Sequence, residues 1–265
     1  STTIDILCTL LKQDTGSAFV NSFALGKQDA SIRQSIGVVF QDNLLDPLLT
    51  VKENIQIRAS FYGLTPRQIR ENTRQAIHWV DAQDFQNQRY GKLSGGQRRK
   101  ADIARALVHT PSILFLDEPT TGLDPYTRQI VWNTLRTLQQ QSGMTVFLTT
   151  HYMEEAAAAD YAAVMVQGEI KAKGTPAALR EAHSSDSLRL VPKEKEALLQ
   201  HLQEMALPYE FKGGAFHIKL SGTLDAIPIL NRVQPLIQGL EVLSGSMDDT
   251  FISITGGELE KGEPI

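Results

Sequence analysis

Two adjacent carboxylates, Asp117 and Glu118, close the apolar run of Ser112 to Leu116. A run that is apolar throughout reads as a fully buried parallel strand. Open α/β sheets bind ligands beyond the C-terminal ends of such strands. One carboxylate there suits a magnesium ion, and its neighbour can orient or deprotonate a water, as phosphoryl transfer requires. Upstream, Leu93-Ser94-Gly95-Gly96-Gln97 opens the helical run RRKADIARAL, with helix expected from Arg98 to about Val108. Two glycines let backbone approach a phosphate, Ser94 can donate a hydrogen bond to it, and the helix start offers free N–H groups. A Gly-Leu-Asp turn ending at Asp124 closes the stretch that began at Lys92. Alone, Ser-Gly-Gly is usually a turn and Asp-Glu a cap. In this order, the parts suit phosphate and magnesium chemistry.

The elements that must position these residues follow from pattern. Ile36 to Phe40 reads as an apolar strand ending at Gln41, and Thr145 to Thr150 as a second buried strand ending at His151. Between Asn43 and Tyr90 the pattern turns helical, with one helix in LTVKENIQIRASFYGL and another opening at Pro66, a favoured first-turn residue. Ser1 to Leu11 reads as an amphipathic helix built on Ile4, Leu7, Cys8 and Leu11, and short strands are expected around Ser17 to Val20. After His151 come the helix MEEAAAAD and strands turning at Gln167-Gly168.

Beyond Arg180 the composition shifts through HSSDS, a linker. There follow strand SLRLVP, helix KEKEALLQHLQEMAL, strands YEFK and AFHIKL about a Gly213-Gly214 turn, helix LDAIPILNRVQPLI and strand GLEVLS. That order is βαββαβ, the ferredoxin-like arrangement. Pro228 and Pro235 predict that its second helix is short or kinked.

LSGGQ followed by ILFLDEP and GLD resembles the nucleotide-binding domain of ABC-type ATPases. The likeness is strong over residues 1 to about 180 and weak beyond. It implies an α/β, P-loop NTPase-type ATPase domain with a parallel-sheet core over 1–180. A helical subdomain is inserted at about 43–108, and a small α+β, ferredoxin-like accessory domain covers 186–256. The stretch NLLDPLLTVKENI and the segment MDDTFISITG resemble the branch whose exporters move drugs, lipids or ions outward.

The resemblance assigns roles residue by residue. Gln41 contacts magnesium and the attacking water, Asp117 holds the magnesium, Glu118 acts on the water, and His151 contacts the γ-phosphate. Ser94, Gly95, Gly96 and Gln97 face the nucleotide of a second subunit, and Leu123 and Asp124 form a dimer-contact loop. The expected cofactors are ATP and Mg2+. The P-loop pattern G-x-x-x-x-G-K-[ST] is missing: Gly26-Lys27 is followed by Gln28 and Gly91-Lys92 by Leu93, neither a hydroxyl residue. Ser1 and Thr2 align with the residues directly after the P-loop lysine, where Ser1 would reach the metal. The sequence therefore reads as a fragment starting just inside its first nucleotide-binding motif, expected to bind and hydrolyse ATP poorly as it stands.

The bulk numbers agree with a soluble domain. A net charge of -4 argues against a nucleic-acid partner. Hydrophobic and charged fractions of 42% and 21% are ordinary for globular chains. Cys8 is the sole cysteine, which excludes an internal disulfide and suits a reducing cytosol. No apolar run reaches the roughly 18 residues of a membrane span, and the start lacks the features of a signal peptide. The expected protein is the ATP-binding and hydrolysing subunit of an exporter. It would pair with an identical or related ATPase subunit beneath an integral membrane permease, on the cytoplasmic, inner face of the cell membrane. Two alternatives are a soluble, non-transport ATPase of the same family and a catalytically impaired regulatory subunit. The long coiled coil or second ATPase domain of the first is not visible, and the intact Glu118 and His151 speak against the second.

Overall fold

The computed structural model describes residues 1–42 and 44–256. The expected start of the helical insert, Asn43, lies outside the described residues. The chain forms two compact units, Ser1–His151 and one beginning at Tyr152.

The first unit runs α1 (Thr2–Leu7), β1 (Phe19–Val20), β2 (Phe23–Ala24), α2 (Asp29–Ser35), β3 (Ile36–Val39), α3 (Val51–Ser60), α4 (Pro66–Trp79), α5 (Gly95–Leu107), β4 (Ile113–Leu116), α6 (Pro125–Ser142) and β5 (Thr145–Leu148). Capping chemistry sets the helix starts. Thr50 with Glu53, Thr65 with Gln68 and Ser94 with Gln97 each form a reciprocal capping box. Asp124 caps α6, and Pro66 and Pro125 occupy first helical positions that need no N–H. α5 thus begins at Gly95, three residues before the expected Arg98, because the Ser94 cap draws both glycines into the first turn. α1 is shorter than expected, since Thr9 adopts a left-handed φ of 63° just beyond it. The short helix α2 had no counterpart in the sequence reading; its one buried side chain, Ile32, gives too little periodicity.

β3, β4 and β5 form a parallel sheet in that order, with Ile36 opposite Ile113 and Ile113 opposite Thr145. β4 is central, and its Leu114, Phe115 and Leu116 are buried. The expectation that Thr145 to Thr150 is a buried strand fails. β5 is an edge strand with Phe147 42% exposed, because no described strand pairs with its far side.

β3 is the other edge. Ser35 and Val39 turn their carbonyls to β4, accepting from Ser112 and Asp117. Residues of the opposite parity point their carbonyls away, and side chains on and just after α5 satisfy them. His109 Nε2 donates to Ile36 at 2.9 Å, Arg105 to Val38 at 2.6 Å and Arg99 to Phe40 at 2.6 Å. α5 lies so close to β3 that a Cβ on Gly37 would sit 2.5 Å from the Ala106 carbonyl oxygen. Backbone cannot give way as a side-chain tip can. Gly37→Ala is therefore expected to lose about 1–3 kcal/mol or more of stability, read as an earlier midpoint in urea unfolding.

His109 makes stability sensitive to acid. Its ring stacks on Tyr62 at 3.9 Å, and Nδ1 is buried without a partner. Burial, with the Arg58 and Arg105 charges adding to it, pushes its pKa down to about 4. Between the ordinary 6.5 and 4, the unfolded chain takes up a proton that the folded chain refuses, so stability falls as pH falls through that window. Asp102, which accepts from Tyr90 at 3.0 Å, is pushed up to about 6 by burial and works in the opposite sense. His109→Gln keeps a donor and removes one of the two effects. Urea unfolding at pH 7 and 4.5 is expected to show a smaller acid loss in the variant than in the wild type.

The second unit runs α7 (Met153–Ala157), β6 (Ala162–Val166), β7 (Glu169–Gly174), α8 (Pro176–His183), β8 (Asp186–Pro192), α9 (Lys195–Glu204), β9 (Tyr209–Lys212), β10 (Ala215–Leu220), α10 (Ala226–Val233), β11 (Ile237–Leu243) and α11 (Met247–Thr255). β6 and β7 form a hairpin about Gln167 and Gly168, both at positive φ, as a type I′ turn requires. The last four strands form an antiparallel sheet in the order β11-β8-β10-β9. That is the ferredoxin-like order, with Leu188, Leu190, Leu198, Leu202, Phe216 and Ile218 at its core. α10 is short as expected: Pro228 falls in its first turn and Pro235 in the 3₁₀ turn that ends it. α11 returns to pack on α7, α8 and β6.

Candidate functional site

Parallel pairing carries the segments after β3, β4 and β5 to one end of the sheet. Asp117 and Glu118 follow β4, and Thr149 to His151 follow β5. Asp117 is 9% exposed. The Thr149 hydroxyl donates to Asp117 Oδ1 at 2.6 Å and accepts the Glu118 N–H at 3.1 Å, so one side chain fixes both acids. Glu118 stands at a left-handed φ of 44°, a conformation that costs an ordinary residue about 1–3 kcal/mol. Its Oε2 accepts from the Thr121 hydroxyl at 3.0 Å, and its Oε1 lies 3.4 Å from His151 Nδ1. Glu118 and His151 keep side-chain exposures of 31% and 52%. The carboxylate is thus oriented by Thr121 and still open to a water.

The second cluster forms around Ser94. Its hydroxyl accepts the Gln97 N–H, and the Gln97 side chain accepts the Ser94 N–H at 3.0 Å. No acceptor among the described residues takes the Gly95 and Gly96 N–H groups, which stay at the positive end of α5. Gly96 packs on the start of α6, where a Cβ would meet Thr127 Cγ2. Asp124 accepts the Thr127 N–H at 3.0 Å, and the Thr127 hydroxyl and N–H hold its carboxyl below the usual range. The Leu93–Gln97 signature and the Gly-Leu-Asp turn are therefore one surface.

The other predicted residues are not bonded directly to the acids. Gln41 is exposed just past β3, and Ser1 and Thr2 are exposed at the start of α1. No hydrogen bond among the described residues joins these three to Asp117 or Glu118. α1 is anchored from below by Ile4 and Cys8, which pack with Ile36 and Phe115. Burial pushes the Cys8 thiol up to about 12, helped by the charges of Asp5 and Asp117, so it is inert.

A magnesium ion fits this donor set. Among the described residues no three His, Cys, Asp or Glu side chains cluster as a metal centre. Magnesium takes one or two carboxylates and completes its oxygen shell from phosphate and water, which matches the single buried carboxylate of Asp117.

The sequence reading missed three residues that build the site. Thr149 and Thr121 are its hydroxyl supports. Arg99, 6% exposed on α5, donates to the Phe40, Glu118 and Pro119 carbonyls. The only signals were the paired threonines before His151 and the Arg-Arg-Lys run after the signature.

Comparison with known proteins agrees. A family profile described as "ABC transporter" matches residues 1–121. The chain is 34% identical to the Nod factor export ATP-binding protein I of Rhizobium sp. (strain N33), over 98% of this chain and 86% of that protein. It is also 34% identical to the daunorubicin/doxorubicin resistance ATP-binding protein DrrA of Streptomyces peucetius, over 97% and 80%. Among solved structures it resembles CbiO1 of Clostridium perfringens, part of an ABC transporter complex, with TM-score 0.63 and 26% identity over 77% of this chain and 79% of that one. A dimeric ATP-binding cassette in a post-hydrolysis state with ADP and Pi matches with TM-score 0.59 and 28% identity, over 66% and 79%. The chain belongs to the ABC transporter family, as one of its ATP-binding, ATP-hydrolysing proteins.

Proposed function

We propose that this chain powers export of a substrate through a separate membrane permease, working as one of two paired ATPase subunits on the inner face of the cell membrane. The observation that carries the reading is the convergence of Asp117, Glu118 and His151 at one end of the sheet, beside a glycine-rich helix start packed on the Gly-Leu-Asp turn. The relatives named for Nod factor export and drug resistance support the direction of transport. The dimeric cassette and the transporter-complex cassette support the pairing and the permease.

The chemistry a magnesium ion would supply here, when held, is neutralisation of phosphate charge. Asp117 is the residue to hold it, with Gln41 and the Ser1 hydroxyl as further oxygen ligands. Glu118, aimed by Thr121, orients or deprotonates the attacking water, and His151 holds the other carboxylate oxygen and reaches the γ-phosphate. Ser94, Gly95, Gly96 and Gln97 present their helix start to the nucleotide of the second subunit, and Asp124 lies at that contact. Closure of the pair on ATP would drive the permease, and hydrolysis would reset it. On this reading the ATPase module covers 1–180, with its helical insert at about 43–108, and 186–256 is an accessory module.

No helix among the described residues is long and apolar enough to cross a membrane. The permease would be met by the helical insert. Asn54 pins the loop of Leu44 and Leu48 to α3 through Asp46, and these leucines with Ile57 of α3 and Phe61 just after it are exposed at 49–73%. Co-expression of the subunit with a candidate multispan permease tests the reading. A stable complex with faster ATP turnover is expected. An absent complex, with turnover indifferent to the membrane protein, would contradict it.

A further inference from the structure

Arg99 is buried at 6% exposure, and its hydrogen bonds go to main-chain carbonyls, with the Asp102 charge nearby on α5. Its guanidinium donates to Phe40 at 2.6 Å, Glu118 at 3.0 Å, Asp117 at 3.4 Å and Pro119. Charge-assisted bonds of this kind are about twice as strong as neutral ones. Three consecutive carbonyls turned toward one cation define the bend after β4, and that bend is where Glu118 holds its left-handed φ of 44°. The fourth carbonyl belongs to the residue before Gln41. The cation itself sits on α5, two residues past Gln97. Arg105 makes a useful contrast: also buried, it donates to Val38 alone and touches no part of the acid-bearing bend.

We propose that Arg99 is a positioning residue for hydrolysis. It holds the Asp117–Pro119 bend and the Phe40–Gln41 strand end in fixed relation to the signature helix, so that displacement of α5 by a partner's nucleotide moves the subunit's own acids. This rests on the ATPase reading above. Arg99 touches no reacting atom; it acts through Asp117, Glu118 and Gln41. Loss of its four bonds should loosen the geometry of the acids without removing any group that grips ATP.

The test compares Arg99→Gln, Arg99→Lys and Arg105→Gln in the full-length protein, reading steady-state turnover of MgATP and equilibrium binding of a fluorescent ATP analogue. Misplacement of reacting groups by about 1 Å costs roughly 100-fold. Arg99→Gln is accordingly expected to lower kcat roughly 10- to 100-fold with binding affinity unchanged within about threefold. Arg99→Lys, which keeps the charge but loses the fork, should fall between it and the wild type. Arg105→Gln should lower the unfolding midpoint yet keep kcat within about threefold of the wild type, since a packing residue acts mainly on stability. Wild-type kcat in Arg99→Gln, an equal kcat loss in Arg105→Gln, or affinity falling in step with kcat would overturn the proposal. If Arg99→Gln does not fold, Arg99→Lys decides: reduced kcat at unchanged affinity supports the role, and unchanged kcat overturns it. An inactive wild type would instead count against the ATPase reading itself.

Discussion

Glu118→Gln in the full-length subunit is expected to lower ATP turnover by roughly 10²- to 10⁴-fold, the usual contribution of a positioned general base. The substitution keeps the shape of the side chain and an oxygen for the Thr121 hydroxyl, which lies 3.0 Å from Glu118 Oε2. It leaves the Thr149 bridge to Asp117 intact, because that bridge uses the Glu118 N–H rather than its carboxyl. Folding and nucleotide binding should therefore survive, and the loss should appear in kcat alone. The strained φ of 44° remains, so the unfolding midpoint should stay near that of the wild type. Turnover of MgATP and ATP binding measured on one preparation check both halves. Undiminished kcat would remove Glu118 from its role.

How much of this was legible beforehand differs by kind of residue. Asp117, Glu118 and the Ser94 cap were readable because each is a local pattern: an apolar run closing on acids, or a hydroxyl three residues before a glutamine. The ferredoxin-like sheet was readable for the same reason, its strands alternating in burial and turning at Gly213-Gly214. Thr149 and Arg99 were not. Thr149 matters only because β5 lies beside β4, and Arg99 only because α5 covers the free edge of β3. Such roles arise from pairings across 20 to 60 positions of chain, as the bonds from Arg99 to Pro119 and to Phe40 show. β5 was misread as buried since Val146, Phe147 and Leu148 look alike in a central or an edge strand; position in the sheet decides, and composition does not.

A division of labour within the stretch from Lys92 to Asp124 is the central claim: the acids serve their own nucleotide and the signature serves that of a second subunit. Gly95→Asp separates the two functions. Gly95 is the first residue of α5 and exposed, and an acid at a helix start is favourable, so the variant should fold. The same charge would repel a phosphate approaching the Gly95 and Gly96 amides, and turnover should fall at least 100-fold, as when a single preorganised phosphate-binding donor is lost. Each of Gly95→Asp and Glu118→Gln is then inactive by itself. The most direct measurement mixes the two purified full-length variants and follows ATP turnover. In a mixed pair, the acids of the Gly95→Asp subunit face the intact signature of the Glu118→Gln subunit, which rebuilds one working site. Random exchange of subunits in a two-fold pair should restore about a quarter of the wild-type rate. Turnover no higher than that of either variant alone, with mixed pairs present, would contradict the claim and place the signature and the acids on the same nucleotide.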